Sequence, residues 1–199
     1  AQLNFVSKHK FYVETDITNF TASKKSGELY FISNSGKRGI LDVGLINKEL
    51  TNSKMIGSLQ ADQAYIFSTS VSNNHFIITS KFIGEKKYAV SVVPVAGENL
   101  LKRKYLYEKD IFPVMPTFSA NKDGAFLLDI GFREIIFSKL DINNFNSSTY
   151  SLPRKIKSAH AVRFFPVCNR KVCYIVTSAF TLKGNNNLAF DQVLVHEIQ

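Results

Sequence analysis

The stretch that decides the fold is GELYFISNSGKRGILDV, residues 27–43. Residues 29–33 alternate between two faces, as side chains do along a β-strand. A cluster of turn-forming residues occupies 34–39, and strand-forming residues resume at Ile40. The stretch therefore predicts a β-hairpin.

The same pattern recurs three more times along the chain. Counted from the turn residue before each apolar run, the four repeats start at Gly27, Asn74, Gly124 and Lys171, in steps of 47, 50 and 47 residues. A phenylalanine precedes each start by six or seven positions: Phe20, Phe67, Phe118 and Phe164. A period of about 40–50 residues is typical of the blades of a β-propeller. The spacing therefore predicts an all-β protein with four blades.

Two of the repeats resemble a known family. Thr21–Asn34 (TASKKSGELYFISN) and Pro116–Asp129 (PTFSANKDGAFLLD) are similar to the WD40-like repeats of TolB-type β-propellers, whose core is a Phe-Ser-x-Asp-Gly turn followed by a strand. In the second and fourth repeats, Asn73–Asn74 and residues 168–171 stand where the family has Asp-Gly. The resemblance implies a propeller that binds other molecules, since family members serve as binding platforms or as substrate-gating domains of peptidases. It implies no reaction.

The repeats predict one domain, 1–199, with four antiparallel strands in each blade. The predicted blades are 15–57, 62–108, 113–153 and 158–199. The last unit has only three strand candidates, so we expect the N-terminal segment 1–13 to complete it, because closure removes open sheet edges. The alternative is half of a larger propeller that a homodimer completes.

The second repeat contains the most continuous apolar run of the chain. Tyr88–Val93 is predicted to be a strand buried on both faces, and Pro94 is predicted to end it. The outer strand of this blade is predicted at Leu100–Tyr107. Along the chain, no segment shows a sustained helical period, and none approaches the roughly 18 apolar residues that a membrane-spanning helix needs.

The net charge of +9 and the isoelectric point near 9.5 favour an acidic partner. In a propeller, the turns between the second and third strands of each blade share one face with the connections between blades. These loops carry the candidate partner-binding residues Lys37, Arg38, Lys86, Lys87, Arg133, Arg154, Lys155, Lys157 and Lys183. The opposite face is also basic, so a generally solvated basic surface is the alternative interpretation.

We expect the acidic partner to be a protein, because small propellers offer broad loop faces and typical interfaces bury about 800 Å² on each partner. One form of this hypothesis is an inhibitor or immunity-type protein that caps a toxin or an enzyme. A glycan or acidic polysaccharide is the alternative partner, although the chain has no Trp for stacking on sugar rings. Nucleic acid is not expected, because no recognised nucleic-acid module is present.

Catalytic motifs are not found in the sequence. His9, His75, His160 and His196 are scattered, and none has a second ligand at metal-binding spacing. Nucleophile-elbow, zinc-protease and phosphate-loop motifs are missing as well. We therefore predict a protein that is not an enzyme and that has no metal or cofactor. A small hydrolase, with residues converging at the centre of the ring, is a further alternative.

Two features favour a periplasmic or secreted protein. The chain begins Ala1–Gln2–Leu3 without Met, as a removed signal peptide would leave it, although a chain shortened for expression would look the same. Cys168 and Cys173 flank a short turn between two predicted strands, where a disulfide can form. Two free thiols are the alternative.

Overall fold

The computed structural model describes residues 16–23, 26–68, 75–109, 117–121, 124–130, 134–141, 143–153, 161–168, 173–183 and 187–198. Within these ranges the chain forms sixteen β-strands and no helix, so the all-β prediction is confirmed. It follows that the described residues include no helix of the length and apolar character that crossing a membrane would need.

The strands form four antiparallel sheets, each made of strands that are consecutive in sequence. Sheet 1 contains β1 (Ile17–Ala22), β2 (Leu29–Asn34), β3 (Ile40–Ile46) and β4 (Ser53–Gln60). Sheet 2 contains β5 (Gln63–Ser68), β6 (His75–Gly84), β7 (Lys87–Ala96), β8 (Asn99–Leu100) and β9 (Lys104–Lys109). Sheet 3 contains β10 (Thr117–Asn121), β11 (Gly124–Ile130), β12 (Glu134–Leu140) and β13 (Ser147–Pro153), and sheet 4 contains β14 (Ala161–Cys168), β15 (Cys173–Lys183) and β16 (Asn187–Ile198).

The hairpin predicted at 27–43 is formed by β2 and β3. In its register Phe31 lies opposite Gly44, and the Phe31 ring covers that glycine so closely that a Cβ there would be 2.1 Å from the ring. Tyr30 and Ile32 point to the other face, because successive side chains of a strand alternate. Both faces of β2 are therefore buried around residues 30–33.

The outer strand of sheet 2 is split, which corrects the single strand predicted at Leu100–Tyr107. Its pieces β8 and β9 both pair with β7, and residues 101–103 between them are not part of a strand. Leu101 N donates a hydrogen bond to Pro94 O at 2.9 Å. In an antiparallel sheet, the N–H and the C=O of one residue point toward the same neighbouring strand. Pro94 O faces the outer strand, so an N–H on residue 94 would face it too, and proline has none. The ladder breaks there for that reason.

Sheet 4 has three described strands, and the segment 1–13 that we expect to supply a fourth lies outside the described residues. The blade boundaries and ring closure therefore stay predictions.

Sheet 2 is packed between sheets 1 and 3. Ile77 of β6 belongs to a core shared with sheet 1, whereas its neighbours Phe76 and Ile78 belong to a core shared with sheet 3. In β7, Val92 faces sheet 3 and Val93 faces sheet 1, and they are 0% and 2% exposed. The prediction that this strand is buried on both faces is confirmed. The prediction that Pro94 ends it is wrong, because β7 continues through Pro94 to Ala96 and Pro94 still pairs in register with Phe76 of β6.

One side chain of β1 and one of β5 connect sheet 1 to sheet 2. Asn19 Oδ1 accepts a hydrogen bond from Ile66 N at 2.8 Å, and Ser68 Oγ donates to Ala22 O at 3.2 Å. The Asn19 side chain thus provides a hydrogen-bond acceptor for the main-chain N–H of Ile66, a buried residue of β5.

A buried ion pair joins sheets 2 and 3. Lys109 Nζ at the end of β9 lies 2.6 Å from both carboxylate oxygens of Asp129 in β11, and the two side chains are 1% and 2% exposed. The Tyr107 hydroxyl donates to Asp129 Oδ2 at 3.0 Å. Burial and the neighbouring Asp129 carboxylate raise the pKa of Tyr107 well above its ordinary value, so the phenol stays a neutral donor.

We expect Asp129→Asn to lower the free energy of unfolding by about 3–5 kcal/mol, because it leaves the Lys109 ammonium buried without its counter-charge. Urea denaturation followed by circular dichroism measures this change.

The matched control for this variant is Glu108→Gln. Glu108 is adjacent in β9, but its ion pair with Lys87 is exposed and 3.9 Å long, so we expect a loss below about 1 kcal/mol. The triple variant Tyr107→Phe/Lys109→Met/Asp129→Leu, which also removes the hydroxyl that would lose its acceptor, should regain most of the stability. Equal losses in Asp129→Asn and Glu108→Gln would contradict the structural role of the buried pair.

Candidate functional site

The first two pairs of candidate basic residues lie at the same end of sheets 1 and 2. Lys37 and Arg38 are exposed in the β2–β3 turn, and Lys86 and Lys87 are exposed at the β6–β7 turn. The connection between the sheets, residues 61–62, lies between these turns.

Three hydrogen bonds hold this connection in place. Ala61 N donates to Gly39 O at 3.0 Å and Asp62 N donates to Ser80 O at 2.9 Å. The carboxylate of Asp62 then accepts a bond from Phe82 N at 2.5 Å. The two turns are therefore fixed relative to each other, and we call the surface formed by Lys37, Arg38, Lys81, Lys86 and Lys87 the basic face.

The basic face keeps a net positive charge, although Asp62 and Glu85 are exposed among its five cations. Lys87 pairs with Glu108 at 3.9 Å, and Lys81 Nζ donates to Gln60 Oε1, a neutral acceptor, at 3.2 Å. Lys37, Arg38 and Lys86 form no ion pair with any residue in the described ranges. This surface is therefore suited to an acidic partner.

The apolar part of this surface was not predicted from the sequence. At the tip of the β6–β7 hairpin, Phe82 and Ile83 are 50% and 48% exposed, and the Phe82 ring lies 5.3 Å from the ring of Tyr88. Glu85 and Lys86 both have positive φ, at 48° and 61°, which gives the turn the twist of a tight hairpin. The signal in the sequence is the apolar pair Phe82–Ile83 directly before the turn.

The other predicted site residues are not brought to this surface by the described structure. Arg133, Arg154, Lys155 and Lys157 lie outside the described residues. Lys183 is the last residue of β15 and pairs in register with Asn187 of β16. Cys168 and Cys173 lie opposite each other as the closing pair of β14 and β15. Their disulfide stays a prediction.

No group of three or more His, Cys, Asp or Glu residues in the described ranges is arranged to hold a metal. Lys109, Asp129 and Tyr107 are close together, but they are sealed between sheets 2 and 3.

A buried histidine lies at the opposite end of sheets 1 and 2. His75 is 4% exposed, its ring centroid is 4.3 Å from that of Tyr30, and its Nδ1 has no hydrogen-bond partner among the described residues. Burial lowers the pKa of His75, and the carboxylate of Glu28 opposes this shift only in part. The imidazole is therefore held neutral within the packed interior.

This environment makes the stability of the fold depend on pH. Because the pKa of His75 is lower in the folded chain, the unfolded chain binds the proton first as the pH falls below about 6.5. The contribution of neutral His75 is therefore complete above that pH and is lost on acidification. We expect His75→Phe, measured by urea denaturation at pH 7.5 and 5.5, to lose less stability on acidification than the parent chain does. An identical pH dependence in the two proteins would contradict this role.

Comparisons with known proteins give no family for the chain. No protein-family model matches the sequence, so the WD40-like repeats stay a resemblance. No curated protein matches it.

Solved structures give matches at low similarity. A protein from Lactobacillus plantarum is 15% identical, with a TM-score of 0.45, over 88% of this chain and 56% of that protein. A protein from Bacteroides fragilis, provisionally assigned as a 6-phosphogluconolactonase, is 13% identical, with a TM-score of 0.47, over 89% of this chain and 56% of that protein. A protein of unknown function from Desulfotomaculum acetoxidans is 12% identical, with a TM-score of 0.39, over 94% of this chain and 72% of that protein. The chain thus spans 56% of the length of the first two proteins.

Proposed function

We propose that this chain is a non-catalytic binding module that recognises an acidic protein through the basic face. The observation that carries the proposal is the fixed arrangement of the two basic turns about residues 61–62. Lysine and arginine side chains on such a face speed the encounter with an acidic surface and select against basic ones. An inhibitor or immunity-type protein is one form of this function.

The tip of the β6–β7 hairpin supplies the apolar contact that a stable interface needs. Charged rims contribute mainly to association rate, whereas buried aromatic anchors supply most of the binding energy. Phe82 and Ile83 lie beside Lys81 and Lys86, and Glu85 is in the same turn, so an apolar anchor is flanked by a net positive charge. A partner with an apolar depression and an acidic rim would match this surface.

The proposal includes an exported location. The register that places Cys168 opposite Cys173 is compatible with a cross-strand disulfide, which would persist in the periplasm or outside the cell.

The proposal also includes a closed four-bladed ring. On the second strands of sheets 2 and 3, Ile77 and Leu127 face the preceding sheet and are fully buried. In β2, the second strand of sheet 1, Phe31 and Ser33 lie on the face that points away from sheet 2. They are buried as well, at 1% and 0% exposed. Sheet 4, completed by segment 1–13, is the element that we propose covers this face.

Charge reversal tests the binding function. We expect Lys37→Glu/Arg38→Glu to weaken binding of the acidic partner at least about tenfold and to reduce its salt dependence, because two attractive contacts become repulsive. The measurement is affinity capture from the cell envelope or secreted fraction of the source organism, followed by titration of the captured protein at several salt concentrations.

A control variant carries the same change of charge at the other end of the sheets. Lys48 lies in the β3–β4 turn and Lys139 near the end of β12, and both are exposed. We expect Lys48→Glu/Lys139→Glu to bind within about twofold of the parent protein. Equal weakening by the two double variants would show a general charge effect and would reject the basic face. Capture of a glycan and no protein would reject the protein partner.

Truncation tests ring closure. We expect deletion of residues 1–13 to destabilise the domain or to cause aggregation, because it would expose a sheet edge and the face around Phe31. Thermal unfolding and light scattering measure both effects. A synthetic peptide of residues 1–13, added in trans, should restore part of the stability, and a scrambled peptide should not. A truncated chain as stable and soluble as the parent would refute strand exchange.

A further inference from the structure

A groove of about 300 Å³ lies on the outer side of the junction between sheets 1 and 2. Its lining is aliphatic at Leu59, Val93, Leu100 and Leu101, and Arg103 supplies the positive charge. Leu59 and Val93 are buried, whereas Leu101 is 49% exposed. The volume is at the lower end of the range for small-molecule sites, so it suits a ligand of modest size.

Arg103 enters the groove from the break between β8 and β9. Its Nη2 donates to Gln60 O at 2.8 Å, which orients the guanidinium. A guanidinium has five N–H donors, and this bond uses one of them. No carboxylate in the described part of the chain forms an ion pair with Arg103.

The charge of Arg103 is only partly compensated by its surroundings. Burial lowers the pKa of Arg103, which means that loss of water raises the free energy of the charged form. An anion beside the guanidinium would replace the lost solvation. The neutral polar groups of the lining are already engaged: the Ser58 hydroxyl donates to Asp42 Oδ1 at 2.6 Å, and Gln60 Oε1 accepts from Lys81.

The width of the groove is fixed by close packing. A Cβ on Gly57 of β4 would lie 2.7 Å from Leu100 Cδ1, so β4 and β8 approach each other as closely as a glycine permits. Leu101 is held by its main-chain bond to Pro94 O. A site formed in advance in this way loses little freedom when a ligand binds.

We propose that this groove binds a carboxylate with an aliphatic body, such as a branched short-chain acid or the C-terminal residue of a polypeptide. The planar guanidinium of Arg103 matches a carboxylate through two parallel hydrogen bonds. The aliphatic body contacts Leu59, Val93 and Leu101. The lining has one cation, and its other polar residues, Ser58 and Gln60, are neutral, which favours a single negative charge over a phosphate. Gln60 lies between this groove and the basic face, since it accepts hydrogen bonds from both Arg103 and Lys81. The basic face contains neither Arg103 nor these leucines, so the two sites can be tested with separate variants.

The probe for the test is 4-methylpentanoate, and its neutral counterpart is 4-methylpentanamide. Titration followed by the methyl NMR signals of Leu and Val should show saturable shifts with the acid, while the amide should bind roughly tenfold to a hundredfold more weakly. Equal binding of acid and amide would overturn the proposal, as would the lack of any saturable shift with the acid.

Variants assign the interaction to Arg103. We expect Arg103→Gln to weaken binding of the acid roughly tenfold to a hundredfold. Lys102→Gln removes the same charge from the exposed neighbouring residue and should leave the affinity within about twofold. Leu101→Glu, a second variant at an exposed position, should also abolish binding because its own carboxylate competes for the guanidinium. Unchanged affinity in both Arg103→Gln and Leu101→Glu would overturn the assignment.

The two sources of the carboxylate are distinguished with peptides. A pentapeptide ending in leucine with a free carboxylate is compared with the same peptide amidated at its C-terminus. If the peptide with the free carboxylate competes with 4-methylpentanoate and the amidated peptide does not, the site is assigned to a polypeptide C-terminus. Binding of the acid without competition by either peptide would assign it to a free small acid.

Discussion

The burial of sheet 2 on both of its faces is the constraint on which the rest of the described structure depends. In β6 and β7, each successive side chain must fit one of two different cores, so few of these residues can be polar. Of the buried polar side chains in β6, Thr79 has its hydroxyl 3.4 Å from Ser91 O, whereas His75 Nδ1 and Ser80 Oγ have no hydrogen-bond partner among the described residues. Sheets 1 and 3 pack against the two faces of sheet 2, so sheet 2 fixes the position of each of them. The turns at one end of sheets 1 and 2 are thereby brought close together.

The contact between sheets 2 and 3 contains a buried ion pair, whereas the ion pair between sheets 1 and 2, Lys54–Glu98, is exposed. A hydrophobic interface between two sheets tolerates small sliding movements, whereas the Lys109–Asp129 pair is satisfied only at one relative position. Buried ion pairs of this kind often add little net stability compared with an apolar replacement. Its main effect here is to fix the register of one sheet on the other, with Tyr107 supplying a further bond.

The sequence predicted the features that depend on local pattern. The alternation in residues 29–33 and the turn that follows give β2 and β3, and the apolar run Tyr88–Val93 gives a strand with two buried faces. Long-range partners could not be predicted in this way. Lys109 and Asp129 are far apart in the sequence, and each looks like an ordinary surface charge until the fold brings them together.

The candidate surfaces were predictable to different degrees. Lys37 and Arg38 are found from a turn signal, whereas their proximity to the β6–β7 hairpin depends on hydrogen bonds made by Asp62. Pro94 would predict the break at 101–103 only if it were known that an N–H at this residue would face the outer strand and not β6. That direction depends on the pairing of β7 with both of its neighbours, which a local pattern does not give.

The split outer strand of sheet 2 also protects the protein from self-association. An uninterrupted outer strand offers a row of free N–H and C=O groups to which a strand of another molecule can add. Here the row is interrupted at 101–103, and the residues at and beside the gap are Lys102, Arg103 and Lys104. A strand from a second copy would meet a distorted backbone and three like charges. The same irregularity that presents Arg103 to the groove therefore makes this edge a poor template for aggregation.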